Sequence, residues 1–176
     1  MRKWIGLVLG LVLLTGCSRP VLQRQTFTVE LGQDVYANAA LYIKNAENYE
    51  TDQMEVEALS PGVVKKENRF ISKNLDYLVV GEYDFTIHTG QEDLDFKIAI
   101  KDTQPPTIDS YQQEITISRG EVIDWSRYFE ASDLNGVSFS VESDLDTSQA
   151  GEKEVTVRIQ DRFGNAVERS VKVIVQ

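Results

Sequence analysis

The sequence predicts an all-β protein, and three observations predict it. Apolar and polar residues alternate with a period of two in run after run, the signature of strands buried on one face. Turn residues interrupt those runs at intervals of about 8–12 residues. No stretch after Pro20 carries the 3.6-residue apolar spacing of a long amphipathic helix. Composition agrees, because 41% apolar and 9% aromatic residues in 176 give the chain enough to build a core. With 18 Lys+Arg against 28 Asp+Glu the net charge is −10, which argues against a nucleic-acid partner. A single Cys excludes both a disulfide framework and a zinc site of clustered cysteines.

The chain opens on an address. Met1-Arg2-Lys3 supplies positive charge, and Trp4 to Leu14 follow without any, the layout of a secretory signal peptide. A membrane-spanning helix needs about 20 apolar residues, so this run is too short for a permanent anchor. Leu14-Thr15-Gly16-Cys17 resembles the lipobox of bacterial lipoproteins. That resemblance implies cleavage after Gly16 and a diacylglyceryl group on Cys17, leaving residues 1–16 as signal peptide and 17–24 as a tether. It also gives the lone Cys a use, since a free thiol is a liability in an oxidising compartment. Acyl chains contribute about 0.8 kcal/mol per buried CH₂, enough for a stable anchor on the extracytoplasmic face of the membrane. Removing Arg2 and Lys3 leaves 16 basic against 28 acidic residues, or −12. That charge disfavours lying flat on an anionic bilayer.

The mature chain repeats itself. Phe27-Val29-Leu31, Tyr83-Phe85-Ile87 and Leu94-Phe96-Ile98-Ile100 alternate with polar neighbours. Val137-Phe139-Val141, Val155-Val157-Ile159 and Val171-Val173-Val175 do the same later on. Thr28-Val29-Glu30-Leu31-Gly32 matches Thr116-Ile117-Ser118-Arg119-Gly120, and Asn74-Leu75-Asp76 with Gly81-Glu82 matches Asp144-Leu145-Asp146 with Gly151-Glu152. The two offsets differ, which places an insertion at about 44–74 in the first copy. Pro105-Pro106 stiffens the chain between the copies. Two tandem β domains follow, 25–102 and 103–176, each a sandwich or a barrel.

The second copy resembles the bacterial immunoglobulin-like domains found in tandem in surface and secreted proteins. The resemblance rests on Gln104-Pro105-Pro106-Thr107-Ile108, Ile115-Thr116-Ile117 with Gly120, Ala131-Ser132-Asp133, Asp161-Arg162-Phe163-Gly164-Asn165 and a final Val-rich strand. It implies two immunoglobulin-like β-sandwiches after a cleaved lipoprotein signal peptide. In the first copy Tyr83 stands where such folds place the tyrosine of a corner motif, and the second copy has Lys153 there. Phe85 and Val155 occupy the position of a bridging Cys.

Catalysis finds little to work with. The only His, His88, falls on the polar side of its strand, and no second His shares a metal with it. The expectation is therefore no enzyme. Calcium is the sharper idea. An immunoglobulin-like second domain presents its B–C and F–G loops to the linker, bringing Asp133, Asn135 and Asp161 near Asp102. Such hard oxygen ligands can hold a Ca²⁺, in an arrangement similar to cadherin junctions. The alternative is that Asp133-Leu134-Asn135-Gly136 and Asp161 to Asn165 are ordinary turns. The insertion offers Tyr49, Arg69 and Phe70 as a binding loop, unless Met54-Val56-Ala58 and Val63-Val64 form extra strands instead. Trp125 reads as a core residue or an edge cap.

The function expected is that of a lipid-anchored, monomeric envelope protein acting as an adhesion, spacer or partner-binding module. Its partner would be an envelope or extracellular protein or a polysaccharide. The second expectation is an accessory lipoprotein that captures a small ligand or ion.

Overall fold

The computed structural model describes residues 19–141 and 145–176. Gly16 and Cys17, and with them the cleavage and lipidation sites, lie outside the described residues, as does Asp144. Every described element is a strand or a one-turn 3-10 helix, and among the described residues no helix is long and apolar enough to cross a membrane. The protein is all-β.

The N-terminal half holds β1 (Thr26–Glu30), β2 (Val35–Tyr36), β3 (Glu55–Ala58), β4 (Val63–Lys66), β5 (Arg69–Ser72), β6 (Gly81–His88) and β7 (Asp93–Lys101). The C-terminal half holds β8 (Thr107–Tyr111), β9 (Glu114–Ile117), β10 (Phe129–Ser132), β11 (Ser138–Val141), β12 (Gly151–Gln160) and β13 (Ala166–Val175). Each half pairs a four-stranded sheet with a smaller one: β1-β7-β6-β3 with β2-β5-β4, then β9-β13-β12-β11 with β10-β8. The inward residues of both sheets meet in the middle, as in a β-sandwich. In the first half the Phe70 ring of β5 lies 5.0 Å from that of Phe85 on β6. In the second, Phe129 of β10 lies 5.6 Å from Phe139 of β11. One buried cluster runs from Val35 to Ile100 and the other from Ile115 to Val175.

The internal repeat is visible in the pairing. In both halves an early strand runs parallel to the last one, β1 against β7 and β9 against β13. Val29 faces Ile100, and its counterpart Ile117 faces Val175. Past each of these strands the chain turns at a glycine with left-handed backbone, Gly32 at φ 81° and Gly120 at φ 74°, a conformation that costs glycine no steric strain. A 3-10 turn follows in each half, Ala39–Leu41 capped by the Asn38 side chain and Trp125–Arg127 capped by Asp124. Those polar caps accept from the otherwise unbonded N–H groups of Ala40 and Ser126. Trp125 is buried.

The expected corner residue closes its bond. Tyr83 Oη donates to the Val79 carbonyl, 2.9 Å away. In the second half the Lys153 ammonium instead donates to the Asp146 carbonyl. Phe85 and Val155, where a bridging Cys would sit, are both buried.

One expectation is corrected and one pair of alternatives is decided. Residues 19–24, expected to belong to a tether at 17–24, are laid against the first half. Leu22 bridges Ile43, Gln23 N–H donates to the Tyr42 carbonyl at 2.8 Å and Lys44 N–H to that of Val21 at 2.9 Å. Backbone groups so close to a folded edge bond to it rather than stay in water. Of the two alternatives for the segment at about 44–74, the extra strands are found and not a binding loop. The segment carries two 3-10 turns and then β3, β4 and β5, and β5 lies between β2 and β4.

Candidate functional site: the junction of the two halves

The first sheet delivers Lys101 as the last residue of β7, and β8 starts at Thr107. The five residues between include Pro105 and Pro106, which restrict the backbone and donate no hydrogen bond. This short strap is bonded on both sides. Towards the first half, the Glu30 carboxylate takes the backbone N–H and the hydroxyl of Thr103, each at 2.7 Å. Towards the second, Asn135 Nδ2 donates to Asp102 Oδ2 at 2.5 Å and Asn165 Nδ2 to the Asp102 carbonyl at 3.1 Å. Gly32 and Leu134 touch across the joint. A Cβ on Gly32 would lie 2.8 Å from Leu134 Cδ1, closer than any unstrained contact. An open cleft of about 370 Å³ beside the strap is walled by Glu30, Leu31, Asp102, Pro105, Asp133 and Leu134.

Three of the four residues expected to gather here bring carboxylates together. Oxygens of Asp102, Asp133 and Asp161 all lie within 4.8 Å of one another, and Asn135, the fourth, bonds Asp102 directly. The turn chemistry explains how each is held. Asp133 Oδ1 accepts the N–H of Asn135 at 2.7 Å. Asp161 Oδ1 accepts those of Phe163 and Asn165, at 2.8 and 2.9 Å, and its Oδ2 takes Asn165 Nδ2 at 2.7 Å. Asp161 is buried, at 3% exposure. Burial pushes its carboxyl up, but the bonds from the Asn165 side chain and from the N–H groups of Phe163, Asn165 and Gly164 outweigh it and hold the group below the usual value. Among the described residues such a trio is found at the joint alone. At the outer end of the first half the equivalent turn is built by Thr89, whose Oγ1 accepts the N–H of Gln91 at 3.3 Å and of Glu92 at 3.1 Å.

The three residues expected to form a binding loop do not act together. Phe70 is corrected outright, because it is 3% exposed and belongs to the core. Arg69, next to it, pairs with Asp34 at 2.7 Å and donates to the Asp76 carbonyl at 3.0 Å. That guanidinium, with the Tyr36 hydroxyl, holds the Asp34 carboxyl below its usual range. Tyr49 Oη donates to the Arg19 carbonyl at 2.9 Å, fastening the start of the described chain.

His88, expected to be a solvated strand residue, is part-exposed at the end of β6 and lies between Glu57 and Asp93, Nε2 at 3.0 Å from the first and Nδ1 at 2.8 Å from the second. Both carboxylates raise its pKa, Glu57 most. Asp93 lies only five residues on, across the hairpin, but nothing in the sequence signals Glu57, which is 31 residues away. Glu30 and Thr103, the other pair missed, are 73 residues apart.

No protein-family model matches the chain, and no curated protein matches it. Solved structures do, at low similarity. An endo-fucoidan hydrolase from glycoside hydrolase family 107 matches with 13% identity and a TM-score of 0.29 over 89% of this chain, which spans 28% of that one. Human mucin-like protocadherin EC1-2 matches with 13% identity and a TM-score of 0.31, over 90% of this chain and 98% of that one. Drosophila OTK extracellular domains 3–5 match with 16% identity and a TM-score of 0.38, over 90% of this chain and 62% of that one.

Proposed function

We propose that the chain is a non-catalytic spacer or partner-binding module of the bacterial envelope, two tandem immunoglobulin-like domains anchored by lipid on Cys17. The observation that supports it is the fastened strap. A joint bonded through Asp102 and Thr103 to both halves keeps them at a set angle, which serves a spacer and has no evident use in two independent domains. Small-angle scattering of residues 18–176 tests it. A single elongated particle whose profile is unchanged by salt supports the spacer; a broad distribution of shapes overturns it. Labelling with palmitate tests the anchor separately, and labelling that survives Cys17→Ala sinks it.

A second reading is favoured by the three carboxylates at the joint: capture of a hard cation such as Ca²⁺ by Asp102, Asp133 and Asp161, with the Asn135 side chain beside them. Here the ion would stiffen the joint or be the ligand handed on. Millimolar Ca²⁺ raises the melting temperature if this holds, and EDTA lowers it again. No response to either disposes of the reading.

A further inference from the structure

We propose that the outer end of the N-terminal half, built from residues 44–54 and 89–92, abuts the lipid headgroups, so that the protein stands end-on on its membrane. The inference rests on the lipid-anchor reading of Cys17 and goes beyond it by naming the surface that meets the bilayer.

The argument is one of reach. Only Ser18 separates Cys17 from Arg19, whose carbonyl is held by Tyr49 at 2.9 Å. Two residues of chain span about 7 Å at full extension. Pro20 is buried, in a cleft of about 290 Å³ shared with Asn48, Tyr49, Gln53, Thr89 and Gln91. An acylated Cys17 in the interface therefore draws that end of the sandwich to within a headgroup's depth of the bilayer. The other end of the half is far off. The nine-residue strand β7 starts beside the 89–92 turn and finishes at the strap, about 30 Å away at 3.3 Å per residue.

The orientation rests on that reach, because both comparable ends are acidic. The matching end of the C-terminal half gathers Asp102, Asp133 and Asp161 at the joint. The end of the N-terminal half puts the uncharged Thr89 in place of Asp161 and lines its cleft with Asn48, Gln53 and Gln91 beside Glu50, while Glu47, Asp52 and Glu92 stand against Lys44 around it. The amide and hydroxyl groups among them exchange hydrogen bonds with hydrated headgroups at little cost.

Amide hydrogen exchange tests the proposal on the mature lipoprotein in vesicles of phosphatidylcholine and phosphatidylglycerol, against the soluble chain 18–176. Exchange at residues 44–54 and 89–92 should slow about threefold or more on vesicles, while 119–124 stays unchanged. Inserting ten Gly/Ser residues between Ser18 and Arg19 should abolish the slowing without releasing the protein. Protection confined to 119–124, protection spread evenly, or protection that survives the insertion overturns the proposal. Flotation with vesicles and the mass of the N-terminal peptide report the anchor itself. If no native lipid is found, the anchor reading fails. Coupling Cys17 of the chain 17–176, its only thiol, to a maleimide-bearing lipid then decides the orientation by the same exchange pattern.

Discussion

The Glu30 carboxylate holds Thr103 by two bonds of 2.7 Å, one to its backbone N–H and one to its hydroxyl. A residue at the end of β1 thereby fixes the first turn of the strap leading to the other half. The pair is exposed, so each bond contributes no more than about 1 kcal/mol to folding. Its effect is on the joint. Glu30→Gln with Thr103→Ala should leave both melting transitions within a few degrees of wild type. The same double variant should broaden the distance distribution between spin labels placed on the two halves. An unchanged distribution would show that the prolines alone set the angle.

Gly32 and Gly120 form a matched pair with different surroundings. Both have left-handed backbone, but a Cβ meets Leu134 only at Gly32 and meets open space at Gly120. Gly120→Ala should cost about 1 kcal/mol, the conformational penalty alone. Gly32→Ala should cost visibly more, and adding Leu134→Ala should return it to the Gly120→Ala level. Chemical denaturation of the three proteins measures the difference.

Asp161 carries the turn that faces the strap. Asp161→Ala leaves the N–H groups of Phe163 and Asn165 without their acceptor, at a cost of about 2–4 kcal/mol in the stability of the C-terminal half. The wild-type group has a depressed pKa, so its contribution is complete above the ordinary carboxylate range and is lost as pH falls through the lowered value. Acid titration of the melting transition should therefore show a steeper decline in wild type than in Asp161→Asn.

His88 works in the other direction. Its raised pKa means that the folded state favours the charged ring, so the stabilisation is full below about pH 6.5 and disappears as pH rises through the raised value. The transition of the N-terminal half should move down in wild type as pH rises above the ordinary histidine value and through the raised one. In His88→Gln that shift should be absent, with Glu55, Glu57 and Asp93 left facing one another on the strands around it.

Thr86 breaks a rule of buried structure. Its hydroxyl is the one buried side-chain polar atom among the described residues that lacks a hydrogen-bond partner. Valine has the same shape without the hydroxyl, so Thr86→Val should stabilise the N-terminal half by about 1 kcal/mol. A lower melting temperature would mean that the hydroxyl has a role in the intact protein.

Strands with clean alternation were legible from the sequence. Tyr83-Phe85-Ile87 and Val171-Val173-Val175 put one face into a core and the other into water, and both became strands of the four-stranded sheets. The convergence of Asp102, Asp133 and Asp161 was also legible, but only through the resemblance to immunoglobulin-like domains, which implies that two turns of the second copy face the linker. What escaped had a different physical origin. In β5 both Phe70 and Ile71 are buried in succession, which breaks the period of two and made Phe70 look like a surface-loop residue. Residues 19–24 hold a single bridge, Leu22 to Ile43, too short to leave an apolar pattern. Glu57 beside His88 and Glu30 beside Thr103 are partners 31 and 73 residues away, which proximity in the fold creates and no local spacing announces.

The parallel ladders have a mechanical meaning. If tension is applied to an anchored chain from its far end, β1 and β7 are drawn in opposite directions along their common axis. The Thr26–Glu30 and Lys97–Lys101 strands must then slide past each other as a block, with every rung strained together. The β9 and β13 ladder of the second half is loaded in the same way. A pull that peels a hairpin breaks its bonds in sequence, whereas this one meets all of them at once. Each half is built to resist stretching along the direction in which the chain enters and leaves it.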